Sequence, residues 1–279
     1  MNKKYQFSKE QEERFQLEAV RQDVNSIQYI DNPSEQLQIE AVRRNGLVIE
    51  YIDNPSEQVQ LEAIKQDAYS IQFINNPSEQ VQLEAVRQNG RTIQYIKNPT
   101  EKVQLEAIRQ NRDCLYYIDD QSLKVQLEAV KRDGCNIYYI KNPSLEVQLE
   151  AVRENGYIIR FIDNPSLELQ LEAVRQNCNA IQFIDNPLEE VQLEAVRQDA
   201  YAIKFINNPS DYIKFIIYVL ETTHRKVYVL HEPNKEPLFS IGCQKNITKE
   251  YLIWRIYNLD GGLEKNPHRQ EYLDILERY

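Results

Sequence analysis

The chain has 279 residues, 42% of them hydrophobic and 27% charged, with seven glycines and 11 prolines. This excludes collagen-like, linker-like and low-complexity classes and allows one large domain or two ordinary ones. The net charge of −10 lies wholly before residue 209, since 23 basic residues stand against 33 acidic ones up to residue 208 and 10 against 10 beyond it.

In chain order, residues 1–10 are polar and predict an N-terminal cap. No apolar run reaches the roughly 18 residues of a membrane helix, and Met1–Phe7 lacks the apolar centre of a signal peptide, so a cytosolic location is expected. A repeat follows. Glu18, Glu40, Glu62, Glu84, Glu106, Glu128, Glu150, Glu172 and Glu194 stand 22 residues apart inside Leu-Glu-Ala-Val or a near copy, and nine units fill 11–208 without insertion or deletion. Pro77–Asn98 serves as the template, with positions numbered one to 22. Asn-Pro-Ser-Glu predicts a helix over positions one to 13, with Asn at the N-cap and Pro at the first helical position. Gly46, Gly90, Gly134 and Gly156, just past the helix, suit a left-handed residue. Positions 14 to 20 then predict one or two tight helical turns.

At 100° per residue, positions five, seven, nine and ten form an apolar arc of about 200°, too wide for a surface helix and suited to packing between two neighbours. Alanine fills position nine in all nine units and lets adjacent helices approach closely. Glutamine at position six, from Gln16 to Gln192, falls within the buried side and predicts a ladder of amides bonded to one another or to nearby backbone. Glu at position eight and Lys or Arg at position eleven predict a solvated charged ridge. The aromatic at position 19 and the isoleucine at position 20 read as core, the free exchange of Tyr for Phe arguing against a need for the phenol.

The signature Asn-Pro-Ser-x-x-Val-Gln-Leu-x-Ala-Val resembles the leucine-rich repeat variant family and bacterial repeats of the LEAV(K/R)QNG type. The resemblance covers about 198 residues and implies an all-α fold, a right-handed α-solenoid of nine repeats related to HEAT and armadillo superhelices. The 22-residue period is shorter than is usual in the first family, and the cysteine-cluster extension is lacking.

After Asn208 the apolar Tyr212–Leu220 predicts a capping helix within 209–224. Residues 225–279 read as a small α+β module, with strands at 226–231 and 238–243, a helix capped by Thr248, a turn at Asp260-Gly261-Gly262, and a last helix after Asn266-Pro267. Cys114, Cys135, Cys178 and Cys243 show no ligand spacing and read as reduced packing residues. His224, His231 and His268 have no metal-like companion or readable nucleophile, so no catalytic residue, metal or cofactor is expected; with Cys243 and Asp260 they compose the weakest of three candidate functions, a site in the C-terminal module.

Specificity should reside where the units differ. Position 18 becomes Tyr116, Tyr138, Arg160 and Lys204, position three becomes Leu123, Leu145 and Leu167, and Tyr157 and Tyr201 occupy position 15. These nine residues mark units five to nine as a partner-binding surface rich in Tyr and Arg; the competing reading has the leucines merely packing on neighbouring helix starts or the C-terminal module. The favoured expectation is a non-enzymatic scaffold or inhibitor that grips a protein with its acidic surface. The alternative is an anti-defence inhibitor of the phage type, a nucleic-acid mimic seated in the basic channel of a nucleic-acid-binding enzyme. Direct contact with nucleic acid or membrane is not expected from an acidic chain, and the many Asn, Ile, Lys and Tyr residues fit an AT-rich bacterial or phage genome.

Overall fold

The computed structural model describes residues 7–221, 226–241, 244–259 and 269–277. The chain divides into two compact units, Met1–Lys141 with repeats 1 to 6 and Asn142–Tyr279 with repeats 7 to 9 and the C-terminal module.

Repeat 1 opens with α1 (Lys9–Gln22), so the polar cap and the first repeat share one helix, started by a capping box between Ser8 and Gln11. The helices α2 (Glu35–Arg44), α3 (Glu57–Gln66), α4 (Glu79–Gln88), α5 (Glu101–Gln110) and α6 (Leu123–Arg132) complete the first unit. The second holds α7 (Leu145–Glu154), α8 (Leu167–Gln176) and α9 (Glu189–Gln198). Each is followed by a six-residue 3₁₀ helix, such as Gly90–Tyr95 in the template. Ten-residue helices are too short to persist alone in water, so their stability comes from stacking.

The expected helix start is displaced by two positions. Serine or threonine, not asparagine, is the N-cap in repeats 2 to 8, as where Ser78 Oγ accepts from Val81 N at 3.4 Å. Asparagine at position 22 is instead the left-handed residue at seven junctions, with φ between 47° and 53° from Asn54 to Asn142, a conformation its short polar side chain tolerates. The glycines therefore do not serve that purpose, since Gly90 begins a 3₁₀ helix. A Cβ on Gly90 would stand 2.6 Å from the carbonyl oxygen of Ala107 in the next repeat, and one on Gly156 2.5 Å from that of Ala173. Close approach of neighbouring repeats selects glycine here. Leu188 alone among the N-caps of α1 to α9 offers no side-chain bond and is 58% exposed. Leu188→Ser should raise stability by about 1 kcal/mol, read as a higher denaturant midpoint; an unchanged or lower midpoint contradicts the cap argument.

Positions five, nine and ten are buried in repeats 2 to 9, as with Val81, Ala85 and Val86. Glutamine at position six bonds to backbone: Gln82 Nε2 donates to Pro77 O at 2.9 Å, with the same bond in Gln38, Gln60, Gln104, Gln148, Gln170 and Gln192. This ties each of these seven helices to the turn that leads into it. The charged ridge runs mainly between repeats, arginine at position eleven meeting glutamate at position eight of the next, as in Arg43–Glu62 at 2.8 Å and Arg153–Glu172 at 3.1 Å. A second ladder links the caps, with Thr100 Oγ1 donating to Glu79 at 2.9 Å and Ser122 Oγ to Glu101 at 2.6 Å.

The aromatic row at position 19 is not core. Tyr51, Tyr95, Tyr139 and Phe161 are exposed and Phe73 is half-buried, because isoleucine at position 17 and the residue at position 16 turn inward instead. Position 16 holds Val48, Ser70, Thr92, Cys114, Asn136, Ile158, Ala180 and Ala202, all buried. Its polar members are satisfied locally, as where Asn136 Nδ2 donates to Ala129 O at 2.9 Å. Cys114 and Cys178 pack inside, and burial, with Asp113 adding to it, pushes the Cys114 thiol up to about 11. Cys135 is exposed, and Cys243 lies outside the described residues.

Where one apolar helix was expected over 209–224, α10 (Asp211–Ile216) spans six residues and the chain becomes strand β1 (Ile217–Glu221). The β-branched and aromatic run Ile216–Leu220 favours a pleated, half-buried surface. Strands β2 (Lys226–Leu230), β3 (Leu238–Ile241) and β4 (Gln244–Ile247) complete an antiparallel sheet in the order β1-β2-β3-β4. Helices α11 (Lys249–Asn258) and α12 (Gln270–Leu276) contribute Leu252, Ile256, Tyr272 and Leu276 to a core with Val227, Val229 and Phe239. Thr248 caps α11 as expected. The turn at 260–262 and the Asn266-Pro267 start lie outside the described residues.

Candidate functional site

In repeats 5 and 6 the 3₁₀ helices Arg112–Tyr117 and Gly134–Tyr139 bury Leu115 and Ile137, which turns positions 18 and 19 outward. Tyr116 is 67% and Tyr138 74% exposed. Tyr116 makes T-shaped contacts with Tyr117 and Tyr139 at 5.1 and 5.6 Å between ring centroids, and Tyr138 makes one with Tyr139 at 5.5 Å. Beside the rings lies a groove of about 400 Å³ whose walls include Asp119, Asp120, Gln121 and Lys141. Here the Asn-Pro of the other junctions is replaced by Asp120-Gln121. Gln121 Nε2 donates to Ile118 O at 2.9 Å and Tyr139 O at 3.1 Å, fixing the groove floor across two repeats. The loss of Asn-Pro was the available sequence signal for Asp119, Asp120 and Gln121, which the reading by position had passed over.

Leu123, at the start of α6, is 48% exposed. In the second unit Leu145 and Leu167 begin α7 and α8 and are likewise exposed rather than sealed under neighbouring helix starts. Tyr157 packs edge-on against Phe183 at 5.6 Å, and the Arg160 guanidinium lies over Phe161 and Phe183 at 4.5 and 5.8 Å. Tyr201 turns to the C-terminal sheet, meeting Tyr228 edge-on at 4.9 Å, while Lys204 sits over Tyr201 and Phe205. Tyr201 therefore serves the seam between repeat 9 and the module.

That seam reproduces a repeat-to-repeat junction with residues from elsewhere in the chain. Arg197, at position eleven, pairs with Glu232 in place of a position-eight glutamate. Ala200 N donates to Asn246 Oδ1 at 3.1 Å, as Gly156 N does to Gln176 Oε1 at 2.8 Å. Asn246 Nδ2 donates to Arg197 O at 2.6 Å, as Arg132 does to Arg109 O at 2.9 Å. The Tyr201–Tyr228 contact matches Tyr69–Tyr95 and Tyr157–Phe183.

The hydrogen bonds from Arg197 hold the Glu232 carboxyl below the usual carboxylate range, against the opposing effect of burial. Burial pushes Asp199 up, partly offset by Lys245 at 3.6 Å. A lowered folded pKa means that the Glu232 contribution is present above the unfolded value near 4.3 and is lost as pH falls through the folded value. Asp199 works the other way, because the folded state binds its proton more readily. Glu232→Gln should cost about 1 kcal/mol at pH 7, since the Arg197 side chain is almost half exposed, and should flatten the acid loss of stability below pH 4.5. An unaltered pH profile contradicts the assignment to Glu232.

His231 is exposed after β2, while His224, His268, Cys243 and Asp260 lie outside the described residues. Among the described residues no group of three or more His, Cys, Asp or Glu is placed to hold a metal, and no helix is long and apolar enough to cross a membrane. α11 also exposes Tyr251, Trp254 and Tyr257, with Tyr251 and Trp254 stacked at 5.9 Å, a patch that sequence reading missed.

These features define a helical-repeat protein whose last repeat is closed by a small α+β module. Residues 166–209 are similar to the family described as domain of unknown function DUF4116. The matched segment is repeats 8 and 9 almost end to end. No curated protein and no solved structure matches the chain.

Proposed function

We propose that the protein is a non-enzymatic binding scaffold or inhibitor that holds a protein partner on the variable surface of its repeats. The observation that carries this reading is the exposure of Tyr116, Tyr138, Leu123, Leu145 and Leu167 at positions where the units depart from their own consensus. Exposed tyrosines are usual anchors of a protein interface, and exposed apolar side chains beside them mark a contact surface. The resemblance to leucine-rich repeat variant and HEAT-like arrays agrees with it.

The nucleic-acid mimic remains the second reading, supported by the −10 charge. The ridge weakens it, because the carboxylates of Glu40, Glu62, Glu106, Glu172 and Glu194 are paired with arginines of the preceding repeat, whereas a phosphate mimic needs unpaired negative charge.

Immobilised full-length protein should capture one stoichiometric protein from a bacterial lysate, unaffected by nuclease or by added DNA and RNA. Leu145→Ser with Leu167→Ser should weaken that capture. Displacement by nucleic acid would transfer support to the mimic, and absence of any stoichiometric protein would remove the scaffold reading.

A further inference from the structure

Position 18 shows how this chain treats its own aromatic row. In repeats 7 and 9 it supplies a cation there, Arg160 over Phe161 and Phe183 and Lys204 at 3.8 Å from the centroid of Tyr201. In repeats 5 and 6 the same position carries Tyr116 and Tyr138, which adds two rings to those of Tyr117 and Tyr139 and supplies no charge from that place. The faces of these rings carry negative electrostatic potential. The adjoining groove adds the exposed Asp119 and Asp120, neither of which enters an ion pair among the described residues, with Lys141 as the single basic residue in its lining. The groove is therefore lined by aromatic rings together with two carboxylates.

We propose that the tyrosine groove of repeats 5 and 6 binds an arginine side chain from an extended basic segment of the partner protein. A guanidinium is planar and weakly hydrated, so it stacks on a tyrosine face while its forked N–H donors reach a carboxylate at its edge. A lysine ammonium can also lie over a ring, as Lys204 does over Tyr201, but it is more strongly hydrated and has no planar fork to stack on the face and meet a carboxylate at once, so it should bind more weakly. The groove's position is fixed before any partner arrives, because Gln121 bonds to backbone of both repeats, which lowers the ordering cost of binding. The inference rests on the reading of the protein as a protein-binding scaffold and adds the chemistry of one contact.

The test is an NMR titration of the full-length protein with acetylated, amidated Gly-Arg-Gly-Arg-Gly and with its lysine and norleucine counterparts. The arginine peptide should bind more tightly than the lysine peptide, and the norleucine peptide should not bind. Tyr116→Ala with Tyr138→Ala should weaken the arginine peptide about 2- to 30-fold, the loss of one or two exposed cation–π contacts. Tyr116→Phe with Tyr138→Phe should stay within about threefold, because a phenyl face keeps the interaction. Asp119→Asn with Asp120→Asn should weaken binding and reduce its salt dependence. Circular dichroism verifies the fold of each variant, and should the alanine pair unfold, the phenylalanine and asparagine pairs decide. Undetectable binding, equal binding of the lysine peptide, or binding indifferent to the alanine pair overturns the proposal. A lysate partner still captured by the alanine pair overturns this contact while leaving the scaffold standing; capture of nothing by the wild type removes the scaffold, and the peptide titration then still reports on the groove.

Discussion

Asn246→Ala should lower the stability of the second unit by about 4 to 5 kcal/mol, most of it from the side-chain hydrogen bonds of Asn246 at about 1 kcal/mol each. Its amide donates to Val196 O and Arg197 O and accepts from Ala200 N, all at the end of the repeat stack that the module covers. It also holds Ser240 Oγ at 2.9 Å, which fixes the β3–β4 connection. A backbone term adds to this, since Asn246 has φ 44°, where alanine is disfavoured by about 1 kcal/mol or more and glycine is not. Asn246→Gly should therefore cost less than Asn246→Ala although both lose the amide. Hydrogen exchange should locate the damage, with the Ala200 amide and the β3–β4 pair losing protection first. A change below 0.5 kcal/mol, or a glycine variant as weak as the alanine one, would contradict this account of the seam.

Ile108→Ala should be among the most damaging core changes in the first unit, at about 3 to 4 kcal/mol. Ile108 is fully buried at position ten of α5, and its loss leaves a cavity that the helices beside it cannot close without breaking their own contacts. Because each repeat leans only on its neighbours, the loss should be felt locally. Exchange should quicken in repeats 4 to 6 while repeats 1 and 2 keep their protection. Gln94→Ala, an exposed position-18 change, should stay within about 0.5 kcal/mol. Uniform loss across the whole unit would show that it unfolds as one cooperative body, against nearest-neighbour coupling.

The repeat was legible because its period is unbroken and its core positions hold one residue type. Val81, Ala85 and Val86 announce their burial by recurrence. The helix start was misplaced because Asn and Ser flank the proline and either can cap. The structure puts the asparagine in the left-handed turn, so serine is left to meet the helix N–H groups. Position 16 stayed hidden although Thr92, Cys114 and Ile158 are all buried, since no single residue type marks it. The aromatic row misled for the opposite reason, because its regularity imitates a core stripe. Half of the tyrosine groove was visible as the change at position 18, while Asp119 and Asp120 required noticing a missing proline. The seam could not have been found by pattern at all, as Glu232, Asn246 and Tyr228 come from three separate parts of the sheet region and meet only through its fold.

Because the sheet presents to Arg197, Ala200 and Tyr201 what another repeat would present, the terminal piece is indifferent to how many units precede it. Duplication or loss of one whole unit within a gene of this kind would leave the closing seam intact and change only the number of repeats before it. Repeat number becomes a quantity that recombination can adjust in fixed steps, without inventing a new closing surface each time. An engineered chain of eight or ten units, ended by the same 209–279 segment, inherits that freedom.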